Sequence, residues 1–161
     1  MSTILVAVDG SKASDAAVRG IVAWAARKPV ETVHLVSVQP RLGGYIGRFI
    51  GPRARRCYSR EQGLRELAGA RGVLEAAGFA HATHIYVGDP VEVLADAAEH
   101  LDVDEIVVGI DAGNLLDGVL RRHMVGRLIR RARVPVVVVN ATPPRPAPGV
   151  LAERLRPTFS G

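Results

Sequence analysis

The chain is short of cysteine, lysine and aromatic residues, and each shortage narrows what it can be. A lone Cys57 excludes an internal disulfide and fits a reducing compartment, so a cytoplasmic location is expected. Arg55 and Arg56 stand beside it, although a lone loop cysteine is more often inert than reactive. No apolar run approaches the roughly 20 residues needed to cross a bilayer, which argues against a membrane role. Residues 1–10 lack a basic segment ahead of an apolar stretch, so no signal peptide is expected. Only Tyr45, Phe49 and Tyr58 are interleaved with the arginines of the middle of the chain. With no recognised module besides, nucleic-acid binding is not favoured.

What the chain does have is arginine. The net charge is +5 with a pI near 10.1, and only Lys12 and Lys28 are lysines. Arginine suits phosphate and carboxylate partners. At 161 residues, 48% hydrophobic and 23% charged, the composition is that of a globular chain with one compact domain.

Apolar periodicity alternates along the chain. TILVAV (3–8) is a continuous apolar run ending at Asp9-Gly10-Ser11, the mark of a strand buried on both faces. Ala17, Ile21, Trp24 and Ala25 follow at helical spacing, with Ser11 or Ser14 as N-cap. Further strands are expected at 32–38, 81–87, 105–110 and 134–140. Helices are expected at 66–78 with a Gly C-cap at Gly78, at 91–101 and around 119–133. In the last of these Leu120, Met124, Leu128 and Ala132 share one face. Strands separated by helices imply an α/β fold with a parallel sheet and helices on both faces. Ligands of such sheets bind beyond the carboxyl ends of the strands where strand order reverses. If the first and fourth strands are central neighbours, that point is framed by Asp9-Gly10-Ser11 and by Gly109 onward.

Two segments fall outside this scaffold. Residues 41–60 form a Gly/Arg-rich insert read as a long loop, with helix beginning near Ser59. Residues 142–161 form a Pro/Arg-rich tail, expected to be largely extended, in which VLAERL could make one helical turn against a partner.

Several chemistries leave no trace. There is no P-loop, no G-x-G-x-x-G after a strand, and no G-x-S-x-G elbow. VDGSKAS lacks the doubled glycine of an ATP-pyrophosphatase-type loop. His34, His81, His84, His100 and His123 are not at metal-ligand spacing with acids or Cys57. His81 and His84 fall on opposite faces of one strand and are read as structural. No catalytic or metal-binding residue is assigned.

The pattern resembles the universal stress protein family through ILVAVDGS (4–11), HLVSVQP (34–40), GDPVEVLADAAEHLDVDEIVVG (88–109) and the closing VPVVVV, in unbroken order over roughly residues 3–140. The resemblance implies a flavodoxin-like (adenine nucleotide alpha hydrolase-like) three-layer sandwich with a five-stranded parallel sheet in the order 3-2-1-4-5. It places one such domain at 1–141, and implies a cytoplasmic stress-linked role and usually a homodimer.

Many members bind ATP through G-x2-G-x9-G-[ST] after the fourth strand. Glycines there let backbone approach phosphate, and the last pair opens a helix whose N-terminus faces it. Anchored on Pro135, this chain keeps Gly109, has Ala112 for the second glycine with Gly113 one place late, and replaces the final pair by Arg122-His123. Val125 takes the next hydroxyl position, and Asp111 adds negative charge. Losing a buried hydroxyl donor costs about 1–2 kcal/mol, and Arg122 puts a long side chain where backbone met phosphate. Arg121, Arg122 and His123 could instead hold phosphate by side chain. The bland alternative is a degenerate loop in which Asp117 caps an early helix and the arginines are solvated.

The candidate nucleotide-lining residues are Ala7, Val8, Asp9, Gly10 and Ser11 after the first strand and Val38 in the second. From the fourth strand onward they are Val108, Gly109, Asp111, Ala112, Gly113, Arg122, His123, Met124 and Val125. ATP or AMP is the ligand the resemblance would bring to them; the residues themselves fix no cofactor. Two functions stay open: a non-catalytic, dimeric stress protein working through partner proteins, and a nucleotide or anion sensor with at most weak ATP hydrolysis. VPVVVV is short, uncharged and β-branched, and in the implied order it is a sheet edge that invites pairing. The dimer edge is accordingly placed at Val134, Val136, Val137, Val138 and Val139, unless the tail covers it within one chain.

Overall fold

A computed structural model describes residues 1–43, 49–111 and 115–141, with the backbone alone at 115–118. Five strands and four helices alternate among them: β1 (Ser2–Ala7), α1 (Lys12–Trp24), β2 (Val30–Gln39), α2 (Pro52–Ala76), β3 (His81–Val87), α3 (Pro90–His100), β4 (Glu105–Ile110), α4 (Leu115–Arg131) and β5 (Val136–Asn140). All strand pairs are parallel and the order is β3-β2-β1-β4-β5, as expected.

Alternation along the strands builds two cores. Ile4, Val6, Val8, Leu35 and Val107 face α1 and α2, meeting Val18, Ile21, Leu67 and Leu74. Leu5, Val36, Ile106 and Val108 face α3 and α4, meeting Leu94, Ala98, Val125 and Leu128. Val91, Leu94, Ala95 and Ala98 are the buried stripe of α3, at the spacing a one-sided helix requires. Asp89 starts that helix by accepting from the backbone N–H groups of Val91 and Glu92.

The structure corrects the sequence reading at several points. Helix α2 begins at Pro52, seven residues before Ser59, so Cys57 is helical and exposed and is not in a loop. Proline at the first helical position is pre-set for the helix, and the buried side of α2 is Ser59, Gly63, Leu67, Ala70 and Leu74. Helix α4 starts at Leu115, so Asp117 lies inside it and is not its cap. Leu120 is 72% exposed, whereas Val125 and Leu128 are buried. The inward phase of α4 runs through Arg121, Met124, Val125 and Leu128, one helical step away from Leu120. Strand β5 begins at Val136, so Val134 precedes it and packs toward the α3–α4 core. The loop expected at 44–48, the tail 142–161 with its VLAERL turn, and the ligand roles of Ala112 and Gly113 lie outside the described residues.

Two of the five arginines of α4 are matched to acids of α3 and its cap. Arg131 reaches Glu92 at 2.9 Å and Asp96 at 2.7 Å, and Arg127 reaches Asp89 at 3.5 Å.

At the β3 side of the sheet His34 and His84 share a ring-nitrogen contact of 3.0 Å, with Tyr86 stacked on His84. One ring must donate and the other accept, so the pair cannot hold both full complements of protons. Burial and the neighbouring His84 lower the His34 pKa, and burial and His100 lower that of His84. The unfolded chain therefore binds protons that the folded one refuses, so stability falls as pH drops below the ordinary histidine range. Urea midpoints at pH 7.5 and pH 5 are expected to differ less in H34N than in the parent chain. An equal acid loss in both would contradict this.

Candidate functional site

Strand order reverses between β1 and β4, and a crevice opens there beyond their carboxyl ends. Its walls are Ala7, Val8 and Asp9 after β1, Val36 and Val38 of β2, Pro90 and Leu94 of α3, Val108 and Gly109 of β4, and Arg121 and Met124 of α4. The cavity holds about 180 Å³, below the roughly 300–1,000 Å³ of ordinary small-molecule sites.

The β1–α1 turn follows from its sequence. Gly10 has φ +74°, the left-handed region that glycine enters without steric cost. Ser11 then caps α1, its hydroxyl accepting from the Ser14 N–H at 3.2 Å. The Ser11 N–H donates to Asp9 Oδ1 at 3.1 Å.

Asp9 is held from the other side as well. Arg121, projecting inward from α4, donates to Asp9 Oδ2 and forms an ion pair with it. Burial alone pushes the Asp9 carboxyl up, but the Ser11 hydrogen bonds and the Arg121 guanidinium outweigh it and hold the pKa below the ordinary value. Asp9 is therefore ionised at neutral pH and the pair stays intact. Arg121 and Asp9 both line the crevice.

The sequence candidates divide by position. Ala7, Val8, Asp9, Val38, Val108, Gly109 and Met124 come together around the cavity, and Gly10 and Ser11 form the turn beside it. Arg122 and His123 lie on the exposed side of α4, and Val125 is buried in the α3–α4 core. Asp111 directly follows β4.

Gly109 has a second constraint. A Cβ there would lie 1.8 Å from the Ala13 carbonyl oxygen and 2.3 Å from its carbon. This glycine is what lets the first turn of α1 press against β4.

One polar group near the site had no motif to reveal it. Glu66 Oε2 of α2 accepts from Ser37 Oγ at 2.7 Å and from Gln39 Nε2 at 2.8 Å, and both partners are buried. The Glu66 side chain also lies against Gly10. The available signal was the pair Ser37 and Gln39 on one face at the end of an apolar strand, since buried polar groups need partners.

A parallel 3-2-1-4-5 sheet with its crevice at the order reversal defines a flavodoxin-like α/β domain. The sequence model of the universal stress protein family matches residues 1–140. Among solved structures, a universal stress protein family member from Burkholderia pseudomallei is 27% identical with a TM-score of 0.67, over 86% of this chain and 95% of that one. An Arabidopsis thaliana member with AMP bound is 18% identical with a TM-score of 0.62, over 87% and 92%. An Archaeoglobus fulgidus member in complex with dAMP is 20% identical with a TM-score of 0.56, over 86% and 97%. No curated protein sequence matches significantly. The chain belongs to the universal stress protein family.

Proposed function

We propose that this universal stress protein is non-catalytic, acts in the cytoplasm as a homodimer through partner proteins, and keeps a nucleotide crevice that its own side chain closes. The observation that carries the reading is the Arg121–Asp9 pair inside a cavity of about 180 Å³. In the family's usual arrangement an acid at the Asp9 position would face the nucleoside, and here it is engaged by a cation of the same chain. The pair of small residues that would open a helix toward triphosphate is replaced by Arg122 and His123, both within α4 and exposed. Binding of Mg-ATP in the family's usual way is therefore not expected.

Thermal unfolding with and without millimolar Mg-ATP tests this. A ligand at 100 times its Kd stabilises by about 2.7 kcal/mol, several degrees for a domain of this size. No shift is expected. A shift of several degrees would overturn the reading.

A second reading has its own support. The solved relatives include members in complex with AMP, cAMP and dAMP, and Asp9 and Val38 both line the crevice here. A nucleoside monophosphate could draw Arg121 from Asp9 onto its phosphate, freeing the carboxylate for ribose hydroxyls.

The dimer reading is supported by β5, which among the described residues pairs only with β4 and carries Val138 40% exposed. A second copy pairing there would satisfy its free edge. Sedimentation at micromolar concentration is expected to give a dimer that V138E converts to a monomer. A monomeric parent chain would contradict it.

A further inference from the structure

The opposite edge of the sheet carries a different surface. Strand β3 pairs only with β2 among the described residues. Val33 N–H donates to the Ala80 carbonyl and Gly88 N–H to the Gln39 carbonyl. In a parallel pair this aims the backbone groups of Ala82, His84 and Tyr86 at β2, and those of Thr83, Ile85 and Val87 outward. The strand has no lysine or proline to blunt that edge, and its register with β2 runs unbroken from His81 to Val87. Val87 at its end is an exposed large apolar residue.

Grooves flank the edge on both faces. On the α2 side two adjoining cavities of about 430 and 450 Å³ share Arg56, Ser59 and Val87. Arg41, Arg55, Arg56 and Arg60 line them, and among the described residues no carboxylate does. Arg41, Arg56 and Arg60 make no ion pair among the described residues. This contrasts with Arg127 and Arg131 of α4, which are matched to acids of α3. On the other face Tyr86, Val93, Ala97 and His100 border a cavity of about 270 Å³.

We propose that an extended acidic segment of a partner protein adds to the free edge of β3, its alternate carboxylates meeting Arg56 and Arg60 in the α2-side groove. Side chains of an added strand alternate between the two faces. Those on the α2 side enter a groove where Arg56 and Arg60 make no ion pair among the described residues, and those on the α3 side enter the cavity beside Tyr86. Backbone pairing supplies affinity that any sequence shares, and the arginines select for acid. A second copy of this chain is a poor occupant, because the same arginines would face each other. The proposal names a surface for the partner binding proposed above and rests on that reading. It does not involve the crevice, so Mg-ATP thermal shifts report on the one and peptide binding on the other.

The probe is a fluorescein-labelled peptide of alternating glutamate and valine, seven residues long to match β3, titrated with the full chain by fluorescence anisotropy. Saturable binding is expected. It should weaken by about tenfold or more in R56E/R60E, since both residues are exposed and their reversal spares the core. Methylating alternate peptide nitrogens should abolish it. So should gathering the glutamates at one end, which keeps the charge but breaks the alternation. No binding up to millimolar protein would overturn the proposal. Equal binding of the methylated or rearranged peptide would reduce it to surface charge and overturn it too. Tighter binding of a single-stranded oligonucleotide than of the peptide would assign the groove to nucleic acid instead.

Discussion

Gly109→Ala is expected to destabilise the fold by about 3 kcal/mol or more, lowering the unfolding midpoint by roughly 10 °C. The added methyl would stand 1.8 Å from the Ala13 carbonyl oxygen, and the clash is with backbone, so no side chain can turn away to relieve it. Either α1 lifts off β4, opening the packing of Ala17, Val18 and Ile21, or β4 shifts and disturbs its ladders to β1 and β5. Gly72→Ala is the matched control. Gly72 lies in the last third of α2 with nothing within 4 Å of its added Cβ, so alanine there should stabilise by about 0.5–1 kcal/mol. Circular dichroism melts of the two variants check both. A G109A midpoint within a degree or two of the parent would contradict the packing role.

Arg121→Ala carries the second large effect. The pair it makes with Asp9 is partly exposed, so its loss should cost no more than about 1 kcal/mol of stability. Its effect on the crevice should be larger. With the guanidinium gone the cavity widens and Asp9 is available to a ligand hydroxyl, so AMP binding should strengthen about tenfold or more over the parent. Isothermal titration or thermal shift with AMP measures it. If Arg121 instead serves as a phosphate ligand, the variant binds AMP more weakly than the parent. The sign of the change therefore separates the closed-crevice reading from the monophosphate reading.

The strands were legible because their signals are strong, while their order came from the family resemblance. TILVAV and EIVVGI are buried on both faces and carry no helical period. The limits of β3 and β4 in the structure match those read from the residues. Helix α2 was harder because its N-terminal half buries Ser59 and Gly63, which register as turn formers and not as an apolar stripe. Gly63 is small for a reason invisible in sequence: a Cβ there would stand 2.7 Å from the side chain of Ile85 on β3.

The candidate site was legible in place but not in detail. Its position follows from topology, Asp9 and Gly109 follow from strand ends, and Val38 came only from the family resemblance. The role of Arg121 depends on the phase of α4, and that phase is set by Val125 and Leu128 reaching the core. Val119, Leu120 and Ile129, all apolar and exposed, obscure that phase in the sequence. Gly109 has a packing reason as well as a possible ligand one, so a glycine kept at the start of a phosphate loop is not by itself evidence of a phosphate.

The account turns on whether the crevice of the parent chain takes a nucleoside triphosphate. The direct measurement is a titration of the ¹⁵N-labelled protein with millimolar Mg-ATP, following the amides of Asp9, Gly10, Val38 and Gly109. These amides border the crevice or the turn beside it. The account predicts that they keep their positions to the end of the titration, with Arg121 still on Asp9. Saturable shifts confined to those four amides would contradict it.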